Sequence, residues 1–193
     1  MTEAAANTSA RMPVRKRRIR HVVFAHGLES GPWGRKITAL APIATAEGYQ
    51  VDSVDFRGMD DPAARVTRLV DCCQDKTGDL ILVGSSLGAY VVTAAAGALH
   101  ARGLFLMAPA FYLPQLPPLR ASTVDCPTAI VHGWDDEVIP YQNSLRFAAE
   151  HKAILHMLPG DHGLRTQIPM LKSLFEYFLI SFELQHGRGV ATP

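Results

Sequence analysis

The pentapeptide Gly84-Ser85-Ser86-Leu87-Gly88 follows the apolar run Leu80-Ile81-Leu82-Val83 and opens the alanine-rich segment that ends near Ala98. This G-x-S-x-G pattern between a strand and a helix puts the serine on a sharp, strained turn that leaves its hydroxyl free to attack. Ser86 is the candidate nucleophile. The N–H of Leu87, at the positive end of the following helix, is a donor for a developing oxyanion. A serine hydroxyl needs a base, and the base needs an orienting group. Both lie downstream, Asp136 in His132-Gly133-Trp134-Asp135-Asp136-Glu137-Val138-Ile139-Pro140 and His162 in Pro159-Gly160-Asp161-His162-Gly163. Each follows a further apolar run, so Ser86, Asp136 and His162 are expected at one edge of one sheet. Upstream, Ala25-His26-Gly27-Leu28 ends another such run, and its relaxed turn offers the N–H of Leu28 as a second oxyanion donor. Acyl transfer to water is the chemistry these groups suit. His26 as an alternative base and Asp135 as an alternative to Asp136 stay open on residue type alone.

The elements that must position these residues alternate. Short β-branched runs near Arg20 to Ala25, Gln50 to Asp55, Leu80 to Gly84, Gly103 to Met107, Thr128 to His132 and Ile154 to Leu158 read as strands. Helical period falls near Arg35 to Glu47, Pro62 to Lys76, Leu87 to Ala98, Tyr141 to His151 and Thr166 to Phe182. Strands apolar almost throughout, separated by helices, predict a six-stranded, mostly parallel, doubly wound α/β sheet covered on both faces. The segment Ala108 to Pro127 carries five prolines and is too proline-rich to form a full helical cap. The expected organisation is a basic N-terminal arm (1–18), a single domain (19–183) and a C-terminal tail (184–193). The pocket walls are expected on loops leaving strand ends, at Trp33, Met59, Phe111, Tyr112 and Trp134, each of which suits core packing equally well.

Composition narrows the partners. The chain has 193 residues, 48% hydrophobic and 19% charged, with a formal net charge of +1. Six of its 19 basic residues lie in the first 20 positions beside one acid, Glu3, so the remainder is mildly acidic. That excludes a basic face built for nucleic acid, and a terminal run of like charges reads as a solvated arm dispensable for hydrolysis. No apolar run reaches the ~18 residues needed to cross a bilayer, and no apolar secretory segment opens the sequence. Three cysteines, two of them adjacent, make a poor disulfide framework and favour a reducing, cytoplasmic setting. Oligomeric state leaves no trace in the sequence.

The elements His26-Gly27, Asp55-x-Arg57-Gly58, Gly84-x-Ser86-x-Gly88, His132-Gly133-x-x-Asp136-x-Val138-x-Pro140 and Gly160-Asp161-His162 together resemble the α/β-hydrolase superfamily. The resemblance is to its small, capless bacterial esterase-like members, and it covers roughly residues 20 to 182. It implies a minimal version of that fold lacking the first two strands and the cap. It further implies Ser86 as nucleophile, His162 as general base and acid, Asp136 rather than Asp135 as orienting acid, and Leu28 and Leu87 as oxyanion donors. No cofactor is implied, and the expected partner is a small acyl substrate, an ester or thioester. Three other readings compete. A metal centre would draw on His26, His132, His162 and the Asp135-Asp136 pair, which lack the short paired spacing of zinc sites. A nucleotide or flavin binder would need a phosphate-binding glycine loop that the sequence lacks. A non-catalytic scaffold for protein interaction would have no need of the triad.

Overall fold

The computed structural model describes residues 19–119 and 125–186. Six strands, β1 (Arg20–Ala25), β2 (Gln50–Val54), β3 (Asp79–Ser85), β4 (Gly103–Met107), β5 (Thr128–Gly133) and β6 (Ile154–Leu158), form one sheet. All pair in parallel, in the order β2-β1-β3-β4-β5-β6. Five helices connect or follow them: α1 (Arg35–Ala46), α2 (Pro62–Cys73), α3 (Leu87–Ala95), α4 (Tyr141–His151) and α5 (Ile168–His186). Chain order turns back between β1 and β3, and ligands bind at such a switch point, outside the carboxyl ends of the strands.

The apolar strands serve two cores. Val23, Leu80, Leu82, Leu104, Leu106 and Ile130 face a cluster with α2, α3 and Phe147 of α4. Their neighbours Val22, Phe24, Ile81, Val83, Phe105 and Val131 face the opposite cluster with α1 and α5. Because side chains alternate across a strand, a strand covered on both faces must be apolar at every position. The edge strand β2 departs from this. Its sequence QVDSV is exposed at Gln50 and Asp52, since it lies at the sheet edge with one strand neighbour, although Val54 and Val51 still pack into the two cores.

The boundary that differs most from the expected one is the end of the last helix. Helix α5 runs on to His186 rather than ending near Phe182. Glu183 is held there by Arg20 (Nη1 to Oε1, 2.5 Å) and by the Tyr49 hydroxyl (3.0 Å), so the last turn is tied to the sheet edge. Arg20, the last member of the basic cluster, is therefore paired, with its guanidinium over the Tyr49 ring. The expected arm, residues 1–18, and residues 187–193 of the tail lie outside the described residues. Between β4 and β5 the described residues contain no helix, in line with the absence of a cap.

Close to the proposed nucleophile, α3 approaches the end of β1 backbone to backbone. A Cβ on Gly88 would lie 2.1 Å from the Ala25 carbonyl oxygen and 2.6 Å from that of His26. Glycine is required because backbone meets backbone. Gly58 has a positive φ of 75° but nothing within 4 Å of an added Cβ. Gly88→Ala is expected to destabilise by about 3 kcal/mol or more through overpacking, whereas Gly58→Ala costs only the ~1–2 kcal/mol of a left-handed alanine. Urea unfolding midpoints check this. A Gly88→Ala midpoint equal to wild type would contradict the packing described.

Candidate active site

Ser86 sits between β3 and α3 with φ 56° and ψ −121°, a conformation costly for any side-chain-bearing residue. Its backbone is fully engaged. The Ser86 N–H donates to the Met107 carbonyl of β4 (2.9 Å), and its carbonyl accepts from Ala89 (3.0 Å) and Ala110 (3.2 Å). These bonds from β4, its following loop and α3 hold the strained turn. The side chain is left facing a cavity of about 780 Å³ that His162 also lines.

The loops after β5 and β6 bring the other two groups. Trp134 and Asp135 donate backbone N–H bonds to the carbonyls of Leu158 (2.9 Å) and Gly160 (3.0 Å). A Cβ on Gly133 would lie 2.2 Å from the Gly160 carbonyl oxygen, so only glycine lets these loops meet. His162 Nδ1 then lies 2.7 Å from Asp136 Oδ2, and His162 Nε2 lies 3.0 Å from Ser86 Oγ. Facing a carboxylate, Nδ1 carries the proton, which leaves Nε2 as acceptor for the serine hydroxyl. Asp135 is exposed and makes its contact through the backbone, so Asp136 is the acid beside His162.

Asp136 is also more fully bonded than the sequence suggested. Its Oδ1 accepts from the N–H groups of Val138 (2.9 Å) and Ile139 (2.8 Å). Its Oδ2 accepts from His162 and from His132 Nε2 at 2.9 Å. Burial of the carboxylate pushes its pKa up, but the bonds from His132, His162 and Ile139 outweigh that and hold it well below the ordinary carboxylate range. His132 faces two acceptors at Nε2, Asp136 and the Ile139 carbonyl (3.2 Å), so that nitrogen carries a proton. The buried Ser144 hydroxyl meets its Nδ1 at 2.7 Å. The sequence motifs do not show this bracing by His132 and Ser144; its one local signal is the four-residue spacing of His132 from Asp136 at a strand end.

His26 is buried and has no free nitrogen. Its Nε2 accepts the Phe56 N–H (2.9 Å) and its Nδ1 donates to the Gly27 carbonyl (2.7 Å). It therefore ties the loop after β1 to the loop after β2 and is not a base. Arg65, buried in α2, adds a second tie through Nε to the Met59 carbonyl (2.6 Å) and Nη1 toward the His26 carbonyl (3.4 Å). The loop so held carries Leu28, which lines the cavity with Leu87. Neither N–H has a partner among the loop, turn and cap hydrogen bonds of the described residues.

The expected walls fall elsewhere. Trp33, Met59, Phe111, Tyr112 and Trp134 are absent from the cavity lining, whose apolar side chains include Leu28, Leu113, Leu116, Val138 and Ile139. Phe111 is fully buried and stacks on Phe147 with ring centroids 4.2 Å apart. Met59 packs on the same core, Tyr112 bonds Glu150, and Trp134 packs edge-on to Tyr141. Trp33 is exposed outside the cavity. Phe111 is drawn into the core, Trp33, Tyr112 and Trp134 stay partly exposed away from the cavity, and smaller leucines and a valine line the opening. Among the described residues no group of three or more His, Cys, Asp or Glu side chains is arranged to hold a metal ion.

Residues 22–176 match the alpha/beta hydrolase family. The chain belongs to that family. A hydrolase-superfamily protein of known structure from Xanthomonas campestris pv. campestris is 33% identical with a TM-score of 0.78, covering 84% of this chain and 99% of its own. Est1E from Butyrivibrio proteoclasticus (18% identity, TM-score 0.75, 88% and 90% covered) shares the fold. So does a serine hydrolase without a lid from Xanthomonas campestris (22%, 0.65, 94% and 88%). Comparison with curated proteins finds no match. No helix of the described residues is long and apolar enough to cross a membrane.

Burial lowers the pKa of His26, as does the nearby Arg65 cation, against a smaller upward pull from its bond to the Gly27 carbonyl. A histidine depressed below 6.5 in the fold contributes stability that is complete above that pH and is lost as pH falls through the folded value. At pH 7.5, two-dimensional imidazole NMR is expected to show His26 neutral with the proton on Nδ1, and its midpoint on acidification to fall below that of a free histidine. An imidazolium, or a proton on Nε2, would contradict the loop tie described.

Proposed function

We propose that the protein is a serine hydrolase of the esterase or thioesterase type, acting on small acyl substrates. The observation that carries the reading is the continuous chain from Ser86 Oγ through His162 to Asp136, opening on a cavity with apolar walls. Ser86 Oγ attacks the carbonyl carbon while His162 Nε2 takes its proton. Asp136 keeps the imidazole in the required tautomer and stabilises the imidazolium as it forms. The Leu28 and Leu87 N–H groups receive the negative charge that develops on the carbonyl oxygen, in a site where such donors need no reorganisation. His162 then protonates the leaving alcohol or thiol, and water repeats the sequence on the acyl-enzyme. The apolar rim fits the acyl chain: Leu28 is 54% exposed and Val138 64%, surfaces that a bound chain would cover. The family membership and the esterase and lipase folds among its structural neighbours accord with this chemistry.

A panel of p-nitrophenyl esters of rising chain length, with a thioester and an anilide alongside, tests the reading. Short and medium esters are expected to be hydrolysed, and the more stable anilide hardly at all. In purified, folded protein, Ser86→Ala and His162→Ala should each lower kcat by ~10⁴-fold or more, because such groups act as a unit. Asp136→Asn should cost ~10⁴-fold by fixing the wrong tautomer. Turnover by Ser86→Ala at the wild-type rate would overturn the assignment.

A further inference from the structure

Lys36, the second residue of α1, lines the same cavity as Ser86 and His162. Its side chain is half-buried, and its ammonium makes no hydrogen bond or ion pair among the described residues. Lys76, by contrast, is closed on Asp52 at 2.5 Å. The two acids whose charges act on Lys36, Asp136 and Asp161, are each hydrogen-bonded to other groups. Asp136 gives both oxygens to His132, His162, Val138 and Ile139, and Asp161 Oδ1 accepts the Leu164 N–H at 3.0 Å. A partly desolvated cation is costly unless something of opposite charge meets it. Arg35 and Arg165 line the cavity as well, with Arg165 packed against Gly163, next to His162. The first turn of α1 holds no acidic residue and its Gly34 cap offers no side chain, so the positive end of the helix adds to these charges. Glu29, on the loop that leads into α1, and Asp60, on the loop after β2, also line the cavity, and neither makes a hydrogen bond or ion pair to Lys36 among the described residues.

We propose that Lys36, assisted by Arg35 and Arg165, forms an anion subsite within the acyl-transfer cavity, so that the preferred substrate is an ester or thioester bearing a carboxylate or phosphate. The inference rests on the serine-hydrolase reading and names its substrate class. The bound anion supplies the partner that Lys36 lacks and fixes the ester relative to Ser86. Burial holds the Lys36 ammonium down to about 8, against the pull of Asp136 and Asp161 and with a further push from Arg165. The charge is therefore present below that pH and lost as pH rises through it.

The experiment compares kcat/KM within matched pairs. Monophenyl adipate against phenyl hexanoate reads an acyl-borne anion, and 4-(carboxymethyl)phenyl acetate against 4-ethylphenyl acetate an alcohol-borne one. Wild type is expected to favour the anionic member of at least one pair by ~10-fold or more, the scale of one charge-assisted hydrogen bond. The ratio should collapse in Lys36→Gln, be largely retained in Lys36→Arg, and decline in wild type between pH 7 and 9. Taking the ratio cancels pH effects on the chemical step common to both members of a pair and any general loss of folded enzyme. Calorimetric binding of adipate and of hexyl phosphate to wild type and Lys36→Gln reads the subsite without turnover and tells carboxylate from phosphate. Absence of anionic preference in both pairs, or a preference that survives in Lys36→Gln, would overturn the subsite while leaving the hydrolase reading intact. Anion binding that depends on Lys36, without hydrolysis of any ester, would instead uphold the subsite and overturn the hydrolase reading.

Discussion

The site depends on one backbone contact, the approach of α3 to the end of β1 at Gly88. That contact lets the helix start directly beneath the strand switch point, so the turn before it must pass through the strained Ser86 conformation. It also brings the loop after β1 against the same turn: a Cβ on Gly27 would lie 3.3 Å from Ser86 Cβ. The proposed nucleophile and the loop that carries Leu28 are thus fixed relative to each other by main chain rather than by adjustable side chains. Strain at Ser86 is offset locally by its bonds to Met107, Ala89 and Ala110. His26 and Arg65 extend the brace to β2 and α2.

A second constraint acts on the acid. Asp136 is buried with its carboxylate accepting four bonds, so it is held ionised and cannot rotate without breaking several of them. Its position fixes the orientation of His162, whose loop is in turn pinned to that of Asp136 through Gly133 and Gly160. Electrostatics extend beyond the triad. The Asp136 and Asp161 charges act on Lys36, which has no hydrogen-bond or ion-pair partner among the described residues and gives the cavity cationic character beside its apolar leucines. A cavity with both characters is suited to an acyl compound with one greasy and one anionic portion.

Much of this was legible in the residues. Continuous apolar runs at Leu80 to Val83 and Leu104 to Met107 can only be strands covered on both faces, and G-x-S-x-G after one of them sets the turn. The order Ser86, Asp136, His162 after successive strands places all three at one sheet edge. What was not legible depends on packing at a distance. Phe111 is drawn inward by Phe147, thirty-six residues on, and leaves the cavity to Leu113 and Leu116. The partnership of His132 with Ser144 joins a strand to a helix through a contact that no local pattern encodes. The isolation of Lys36 is likewise visible only once the partners of every nearby acid are known. Helix α5 outlasts its expected end because Arg20 and Tyr49, at the other end of the chain, hold Glu183.

Incubation with a fluorophosphonate, followed by peptide mass spectrometry, tests whether this strained turn presents an activated serine, as proposed. The account predicts stoichiometric covalent modification confined to Ser86 and abolished in His162→Ala at matched time. No modification of folded wild-type protein, or modification at another residue with Ser86 untouched, would contradict it.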